Sequence, residues 1–228
     1  EPVSSVECLD LETWQWSAVA PMSTPRTDAV AAVLGGKIFV VGGCDDEGRD
    51  LSSVESFDPA TGIWTAVAPM NTTRSGHGVV SAQGKLFAVG GETVNEQGAT
   101  EILKSVECFD PSTGVWTNIN PMNEARDELG VAVLGDKLFA IGGWNEQDDL
   151  SSVECLDLSV PNSQWTTVAP MTSPRSSMGA VVTGGKIYIA GGTSSSIECF
   201  DPSDGPAGRW TVVSETSQFA SGACFSAC

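Results

Sequence analysis

The stretch "VECFDPSTGVWTNINPM", from Val106 to Met122, decides the fold because the chain repeats it. A close copy, "VESFDPATGIWTAVAPM", begins at Val54, and weaker copies begin at Val6 ("VECLDLETWQWSAVAPM"), Val153 and Ile197. One active site needs only one set of catalytic groups. A phrase that occurs five times therefore indicates architecture rather than a catalytic motif.

A second phrase alternates with the first. It reads "RSGHGVVSAQGKLFAVGG" from Arg74, and related copies begin at Arg26, Arg126 and Arg175, with spacings of 48, 52 and 49 residues. The tryptophans of the first phrase keep the same period, with spacings of 48, 52, 49 and 45, and are Trp16, Trp64, Trp116, Trp165 and Trp210. A period near 50 is typical of a propeller blade of four strands.

Each repeat unit contains signals for four strands and none for a helix, so the predicted fold class is all-β. The first strand, such as 29–34, consists of small residues that suit the centre of a ring, and the second, such as 37–41, is apolar enough to be buried on both faces. Two-residue hairpin turns join them at 35–36, 83–84, 135–136 and 184–185. A double glycine ends each second strand: Gly42 and Gly43, Gly90 and Gly91, Gly142 and Gly143, Gly191 and Gly192.

These units predict a single propeller domain over 1–228. Four complete units span about 26–73, 74–125, 126–174 and 175–214. The N-terminal segment 1–22 supplies only third and fourth strands, and segment 217–228 has the texture of another first strand, with Gln218 and Gly222 at the places of Arg175 and Gly179. Two alternatives stay open: a ring closed by a fifth, three-stranded blade, or part of a six-bladed propeller.

The ordered pattern of Arg, small-residue strand, Gly-Gly, Val-Glu-x-Phe-Asp-Pro, Trp and Pro-Met resembles the kelch repeat over residues 3–215, and the "VAPM" endings look most like the kelch-like adaptor family. The resemblance implies a β-propeller that binds proteins. In a longer chain it implies a BTB domain that engages a cullin-3 ubiquitin ligase. Actin binding is the alternative within the binding class, and an enzyme on a kelch scaffold is the alternative from another class.

The composition limits which classes of binding partner we expect. The 29 acidic and 11 basic residues give a net charge of -18, which disfavours nucleic acid and favours a basic protein or peptide. Apolar runs of about seven residues are far shorter than the ~20 of a membrane helix. Four of the seven cysteines, Cys8, Cys108, Cys155 and Cys199, occupy one repeated strand position. They are interpreted as small apolar residues in a reducing, cytoplasmic setting.

The repeated charged residues are interpreted as structural ion pairs. Each arginine opens a first strand and each glutamate opens a third strand at the same end of the blade, roughly 10 Å apart. The pairs form either within a blade or between blades. The residues involved are the arginines Arg26, Arg74, Arg126 and Arg175 and the glutamates Glu55, Glu107, Glu154 and Glu198. The alternative is a basic ring that binds acidic ligands. The tryptophans Trp64, Trp116 and Trp165 are predicted to be mostly buried between blades.

Two variable segments of each unit are predicted to share one face: the loop after Gly-Gly and the position two residues after each arginine. Loops on a rigid scaffold are where binding residues concentrate. The predicted partner-binding residues are Asp28, Asp45, Asp46, Glu47, Asp50, Glu92, Glu96, Glu128, Trp144, Glu146, Asp148 and Asp149. The same loops also hold Glu101, Glu124 and Asp127. The alternative is a solvated acidic rim without a partner, and Trp144 either anchors a partner or packs on a neighbouring loop.

Catalytic and metal-binding interpretations find little support in the sequence. Kelch-type copper oxidases need Tyr and His ligands, whereas this chain has one of each, Tyr188 and His77, both within strands. The pair Asp45 and Asp46 lacks the fixed ligand spacing of a calcium loop. We therefore expect a non-enzymatic module with no metal and no cofactor. The lysines that follow the hairpin turns, Lys37, Lys85, Lys137 and Lys186, are interpreted as solvating those turns.

Overall fold

The computed structural model describes residues 1–95 and 97–215. Within them every regular element is a β-strand, which confirms the all-β prediction, and the twenty strands form four four-stranded antiparallel sheets and two two-stranded ones. No helix in this described part is long and apolar enough to cross a membrane. The predicted strand within 217–228 and the predicted binding residue Glu96 lie outside the described residues.

The four large sheets are the predicted complete blades. An N-terminal pair consists of β1 (Val6–Asp10) and β2 (Gln15–Val19). Blade 1 consists of β3 (Val30–Leu34), β4 (Lys37–Val41), β5 (Val54–Asp58) and β6 (Ile63–Val67). Blade 2 begins with β7 (Gly78–Ala82) and β8 (Lys85–Val89); a hairpin of β9 (Glu92–Val94) and β10 (Thr100–Ile102) follows, and then β11 (Val106–Asp110) and β12 (Val115–Ile119).

The last two blades repeat this order. Blade 3 consists of β13 (Gly130–Leu134), β14 (Lys137–Ile141), β15 (Val153–Asp157) and β16 (Thr166–Val168). Blade 4 consists of β17 (Met178–Thr183), β18 (Lys186–Gly191), β19 (Ser196–Asp201) and β20 (Arg209–Glu215). In each blade the strands pair in chain order, first to fourth.

The first strands of the blades face one another at the centre. β3 contacts β7, β7 contacts β13, and β13 contacts β17. Between them lies a cavity of about 310 Å³, lined mainly by Val, Ala and Gly side chains of these strands. Small residues fit here because four strands converge on a narrow channel, as the composition of the first strands predicted.

Apolar side chains fill the spaces between neighbouring blades. Between blades 1 and 2, Phe39 and Val41 pack with Leu86, Phe109 and Trp116, and all five are buried. Equivalent clusters lie between blades 2 and 3 and between blades 3 and 4. Each blade therefore buries its apolar faces against its neighbours, which is how a repeat architecture gains its core.

The repeated tryptophan joins each blade to the one before it. The indole N–H of Trp116 donates to the backbone carbonyl of Ala68 at 2.9 Å, and Trp64 does the same to Ala20 at 2.7 Å. Trp116 and Trp165 are buried as predicted, but Trp64 is only half-buried and Trp16 is 65% exposed. Trp64 is less buried than Trp116 and Trp165 because the structure before blade 1 is only the pair β1–β2, which covers less of the indole.

The double glycine lets two blades approach closely. Gly90 and Gly91 have φ values of 63° and 87°, and the backbone N–H of Gly91 donates to the carbonyl of Arg126 in blade 3 at 2.8 Å. A Cβ on Gly90 would lie 2.5 Å from that same carbonyl oxygen. Both the backbone conformation and the close approach therefore require glycine at this position.

Candidate protein-binding face

The repeated arginines are fully buried within their own blades. The guanidinium of Arg74 donates to the backbone carbonyls of Gly90 at 2.8 Å and Ser105 at 3.1 Å, and contacts Oε1 of Glu107 at 3.1 Å. The same ion pair occurs in the other blades at 2.6–3.1 Å: Arg26 with Glu55, Arg126 with Glu154 and Arg175 with Glu198. The predicted contacts are present.

Each glutamate also holds the linker that enters its blade. Glu107 accepts hydrogen bonds from the backbone N–H groups of Asn71 at 2.6 Å and Thr72 at 3.0 Å, and from the Asn71 side chain at 2.8 Å. The ion pair thus ties strand β11 of blade 2 to the segment arriving from blade 1. Because these arginines are buried and paired, they cannot form the basic ring that was the alternative interpretation.

At one end of the blades, acidic residues are neutralised by lysines. We call this end the turn face; it carries the hairpin turns and the Asp-Pro turns. Lys85 pairs with Asp110 at 3.0 Å, and the Ser112 hydroxyl together with Lys85 holds the pKa of Asp110 at about 2. Lys37 pairs in the same way with Asp58 and Lys186 with Asp201. These three lysines thus form ion pairs, whereas the interpretation from the sequence expected them only to solvate the turns.

The opposite end, which we call the loop face, brings the two variable segments together as predicted. The residues two positions after each arginine all have φ between 50° and 60° and surround the channel mouth: Asp28, Gly76, Glu128 and Ser177. The backbone N–H of Glu128 donates to Gly76 of blade 2 at 2.9 Å, and that of Ser177 to Glu128 of blade 3 at 2.9 Å. Isolated bridges such as Asp127 with Trp144 connect this ring to the loops after Gly-Gly.

The acidic residues predicted to bind a partner divide into two groups. Six are exposed on the loop face: Asp28, Asp46, Glu47, Glu128, Glu146 and Asp148. Glu92 is half-buried, and its pKa is raised by burial and by the nearby carboxylates Asp50, Glu128 and Asp28. Of these six, Glu47 is paired with Arg49, and Glu128 accepts a hydrogen bond from the Ser177 hydroxyl. Within the described residues the other four have no ion pair and are available for contact with another molecule.

The second group is already bonded within the protein. Asp50 accepts hydrogen bonds from the Ser75 hydroxyl at 2.7 Å and the Val94 N–H at 2.9 Å, and Asp149 accepts one from the Thr193 hydroxyl at 2.8 Å. Both aspartates therefore join the loops of adjacent blades. Asp45 closes its own loop instead, through the backbone N–H groups of Glu47 and Arg49 and an ion pair with Arg49 at 2.7 Å.

Trp144 lies half-buried beside this rim. Its backbone exchanges two hydrogen bonds with Asp127, at 2.8 and 2.9 Å, so the residue is held in place. A fixed, partly exposed indole suits both sequence interpretations, packing and partner anchoring, and its role in binding stays a prediction.

Few cations balance the loop face. The chain has eleven Lys and Arg residues, of which four are the buried arginines, four are the lysines of the hairpin turns, and Arg209 contacts Asp204 near the turn face. Only Arg49 and Lys104 lie on the loop face, and Arg49 is paired with Asp45 and Glu47. The two faces therefore differ strongly in charge.

One residue of this face was missing from the predicted binding set. Asp127 is 8% exposed, and its pKa is raised to about 7, first by burial and then by the charges of Glu92, Glu128 and Asp28, against one opposing N–H group. A sequence signal exists, because the residue after each repeat arginine is otherwise Thr27, Ser75 or Ser176. Asp127 is the acidic member of that series.

The channel offers little polar chemistry. Its described lining is apolar except for His77 and Ser81, and burial together with the charge of Arg74 lowers the pKa of His77 to about 3. The imidazole is therefore neutral at physiological pH. In residues 1–95 and 97–215, no three or more His, Cys, Asp or Glu side chains are grouped as metal ligands would be.

The fold and this face define a β-propeller with one acidic surface built from loops. Comparison with known proteins gives the family. Residues 1–143 match the model described as "KLHDC2/KLHL20/DRC7 Kelch-repeats domain", and residues 125–172 and 174–217 match the kelch motif. The chain belongs to the kelch-repeat family.

Similar proteins include two kelch-like proteins. Kelch-like protein 7 of Homo sapiens is 47% identical over 153 residues, which is 67% of this chain and 26% of that protein. Kelch-like protein 28 of Mus musculus is 34% identical over 148 residues, 65% of this chain and 18% of that protein. The chain thus spans about a quarter or less of these relatives.

A solved structure supports the fold. The structure of YjhT superposes with a TM-score of 0.78, covering 96% of this chain and 85% of that one, at 19% sequence identity. At this identity the similarity concerns the propeller fold alone.

Proposed function

We propose that this chain is a non-enzymatic protein-binding module that recognises a partner with a basic segment through its loop face. In a longer protein it serves as the substrate-recognition domain of a cullin-3 ubiquitin-ligase adaptor in the cytoplasm. The kelch-like names of the similar proteins and the family membership support the adaptor role.

The observation that carries the binding role is the unequal charge of the two faces. Three acids of the turn face, Asp110 among them, are paired with lysines, whereas exposed acids of the loop face such as Asp46 and Asp148 have no ion pair in the part of the chain that the structure describes. Complementary charge speeds association and selects basic partners. The apolar channel, with neutral His77, gives a catalytic interpretation no comparable support.

The test compares two double variants that change the net charge equally. Asp46→Asn with Asp148→Asn removes two exposed acids from the loop face, and Glu12→Gln with Asp136→Asn removes two from the turn face. A pull-down identifies proteins retained by the wild-type chain, and their affinity is then measured at two salt concentrations. Only the loop-face variant should weaken binding and flatten its salt dependence.

Equal behaviour of both double variants would place the binding surface elsewhere. The adaptor role is tested separately, by asking whether the longer protein that contains this sequence co-precipitates cullin-3. If the pull-down recovers actin through the loop face and the longer protein does not co-precipitate cullin-3, the adaptor role is wrong and a cytoskeletal role replaces it.

A further inference from the structure

Asp127 has no obvious structural purpose in the repeat. It lies beside the buried Arg126, but the carboxylates that pair with Arg126 belong to Glu124 and Glu154 and not to Asp127. Although Asp127 is more than nine-tenths buried, its Oδ1 has no hydrogen-bond partner in the structure. Buried polar atoms are normally hydrogen-bonded, so an unpartnered carboxylate oxygen suggests that a partner group comes from outside.

The neighbouring blade makes room for this carboxylate. A Cβ on Gly76 of blade 2 would lie only 2.0 Å from Oδ1 of Asp127. The equivalent positions of the other blades carry the side chains of Asp28, Glu128 and Ser177. The side chain of Asp127 therefore occupies, at the channel mouth, the space that a side chain at position 76 would take.

Three further carboxylates lie near enough to act electrostatically on Asp127. The charges of Glu92, Glu128 and Asp28 act on Asp127 strongly enough to raise its pKa, and they come from blades 2, 3 and 1 respectively. No ion pair within 4.0 Å neutralises any of these four acids among residues 1–95 and 97–215. We define the Asp127 pocket as Asp28, Gly76, Glu92, Asp127 and Glu128.

We infer that the Asp127 pocket receives the side chain of one lysine or arginine from the bound protein, with Asp127 as its anchor. The inference deepens the proposed function and rests on it. A long cationic side chain fits this site because its charged tip can pair with the Asp127 carboxylate, which is buried and has no ion pair among the described residues. Charge-assisted hydrogen bonds are shorter and stronger than neutral ones, and most so where water is excluded.

A metal ion is a poorer occupant. The described residues contain no cluster of three or more His, Cys, Asp or Glu placed to ligate one. A single organic cation needs only one carboxylate without an ion pair and a negative surrounding potential, and the Asp127 pocket supplies both.

The test uses two short synthetic peptides that differ in one charge. Both have a Gly-Ser background; one carries a central arginine and the other carries citrulline, its neutral counterpart of nearly equal shape. Binding is measured by NMR titration at low salt. The wild-type chain should bind the arginine peptide at least about tenfold more tightly, because a buried charge-assisted hydrogen bond is strong.

Two variants disrupt the Asp127 pocket in different ways. Asp127→Asn removes the charge, whereas Gly76→Ala keeps the net charge and displaces the carboxylate sterically. Both should reduce the arginine preference to about twofold or less. The matched control, Asp148→Asn, removes an exposed acid from the same face and should leave the preference intact. An equal loss in all three variants would mean a diffuse surface field and would overturn the inference.

A measurement on the unmodified protein guards against misfolded variants. The arginine peptide should lower the apparent pKa of the Asp127 carboxyl, followed by ¹³C NMR, and the citrulline peptide should not. A hexalysine peptide tests the proposed function separately. If hexalysine binds through the loop face but the arginine peptide does not change the apparent pKa of the Asp127 carboxyl, the pocket inference fails and the proposed function stands. If hexalysine does not bind either, both fail.

Discussion

The strongest quantitative prediction concerns the tryptophan that joins neighbouring blades. Trp116→Ala removes a buried indole from the core between blades 1 and 2, where it packs beside Phe39 and Phe109. Truncating a buried Trp costs about 3–5 kcal/mol. The change also removes the 2.9 Å hydrogen bond to the Ala68 carbonyl, which is worth about 1 kcal/mol. We expect a total loss near the upper end of that range.

The chain supplies its own matched controls. Trp16 holds the same place in the repeat but is 65% exposed, so Trp16→Ala should cost no more than about 0.5 kcal/mol. Trp64, half-buried against the pair β1–β2, should fall between the two. Three identical substitutions at equivalent positions thus form a series in which only the cover by the preceding blade changes.

Urea unfolding followed by far-UV circular dichroism measures the series. A lower midpoint at unchanged slope reports lost stability, whereas a changed slope reports loss of cooperativity between blades. If Trp116→Ala and Trp16→Ala cost the same, packing against the preceding blade does not stabilise this fold, and the account of the inter-blade cores is wrong.

Three further predictions use the same assay. Arg74→Met should lower stability by about 3–5 kcal/mol because it leaves Glu107 charged and buried. The double variant with Glu107→Gln should regain part of that stability, and full stability of the single variant would mean that the ion pair of Arg74 and Glu107 does not stabilise the blade. Lys85→Ala should cost less than about 1 kcal/mol, because its pair with Asp110 is solvent-exposed; a larger cost would mean that the turn face depends on this pair. Asp127→Asn should stabilise the protein by at most about 4 kcal/mol at pH 8 and by almost nothing at pH 4. The reason is that the pKa of Asp127 is about 7 in the folded state, above the ordinary 3.8, so the wild type loses stability as the pH rises from 3.8 to 7. A stability difference between variant and wild type that does not change with pH would refute this prediction.

The repeat made most of the fold predictable. The tandem phrases set the number of strands per blade, their boundaries and the turns, since each local signal recurs at a fixed distance from the next. The hairpin β9–β10 was not anticipated, because its sequence is polar and its strands are only three residues long. The smaller burial of Trp64 relative to Trp116 was not predictable, because burial between blades depends on what precedes the blade, and the repeated phrase does not contain that information.

The candidate site was predictable only in outline. Strand alternation put the variable segments on one face, and the structure agrees. The sequence could not show which acids already have partners, because those partners lie in other blades: Asp50 is bonded to Ser75, and Asp149 to Thr193. The space for Asp127 likewise depends on the missing side chain of Gly76, fifty-one positions away in the sequence.

Equivalent positions within one repeat protein separate structural from functional residues without any other sequence. Thr27, Ser75 and Ser176 show that a small hydroxyl satisfies the fold at the position after the repeat arginine. Asp127 adds a carboxylate there that burial and three neighbouring acids disfavour, so it lowers stability at neutral pH. Departures from a local rule that cost stability are expected at functional sites. The buried, unpartnered carboxylate oxygen of Asp127 beside the missing side chain of Gly76, and not the mere abundance of acids around it, is therefore the reason to place recognition of the partner's cation at the channel mouth.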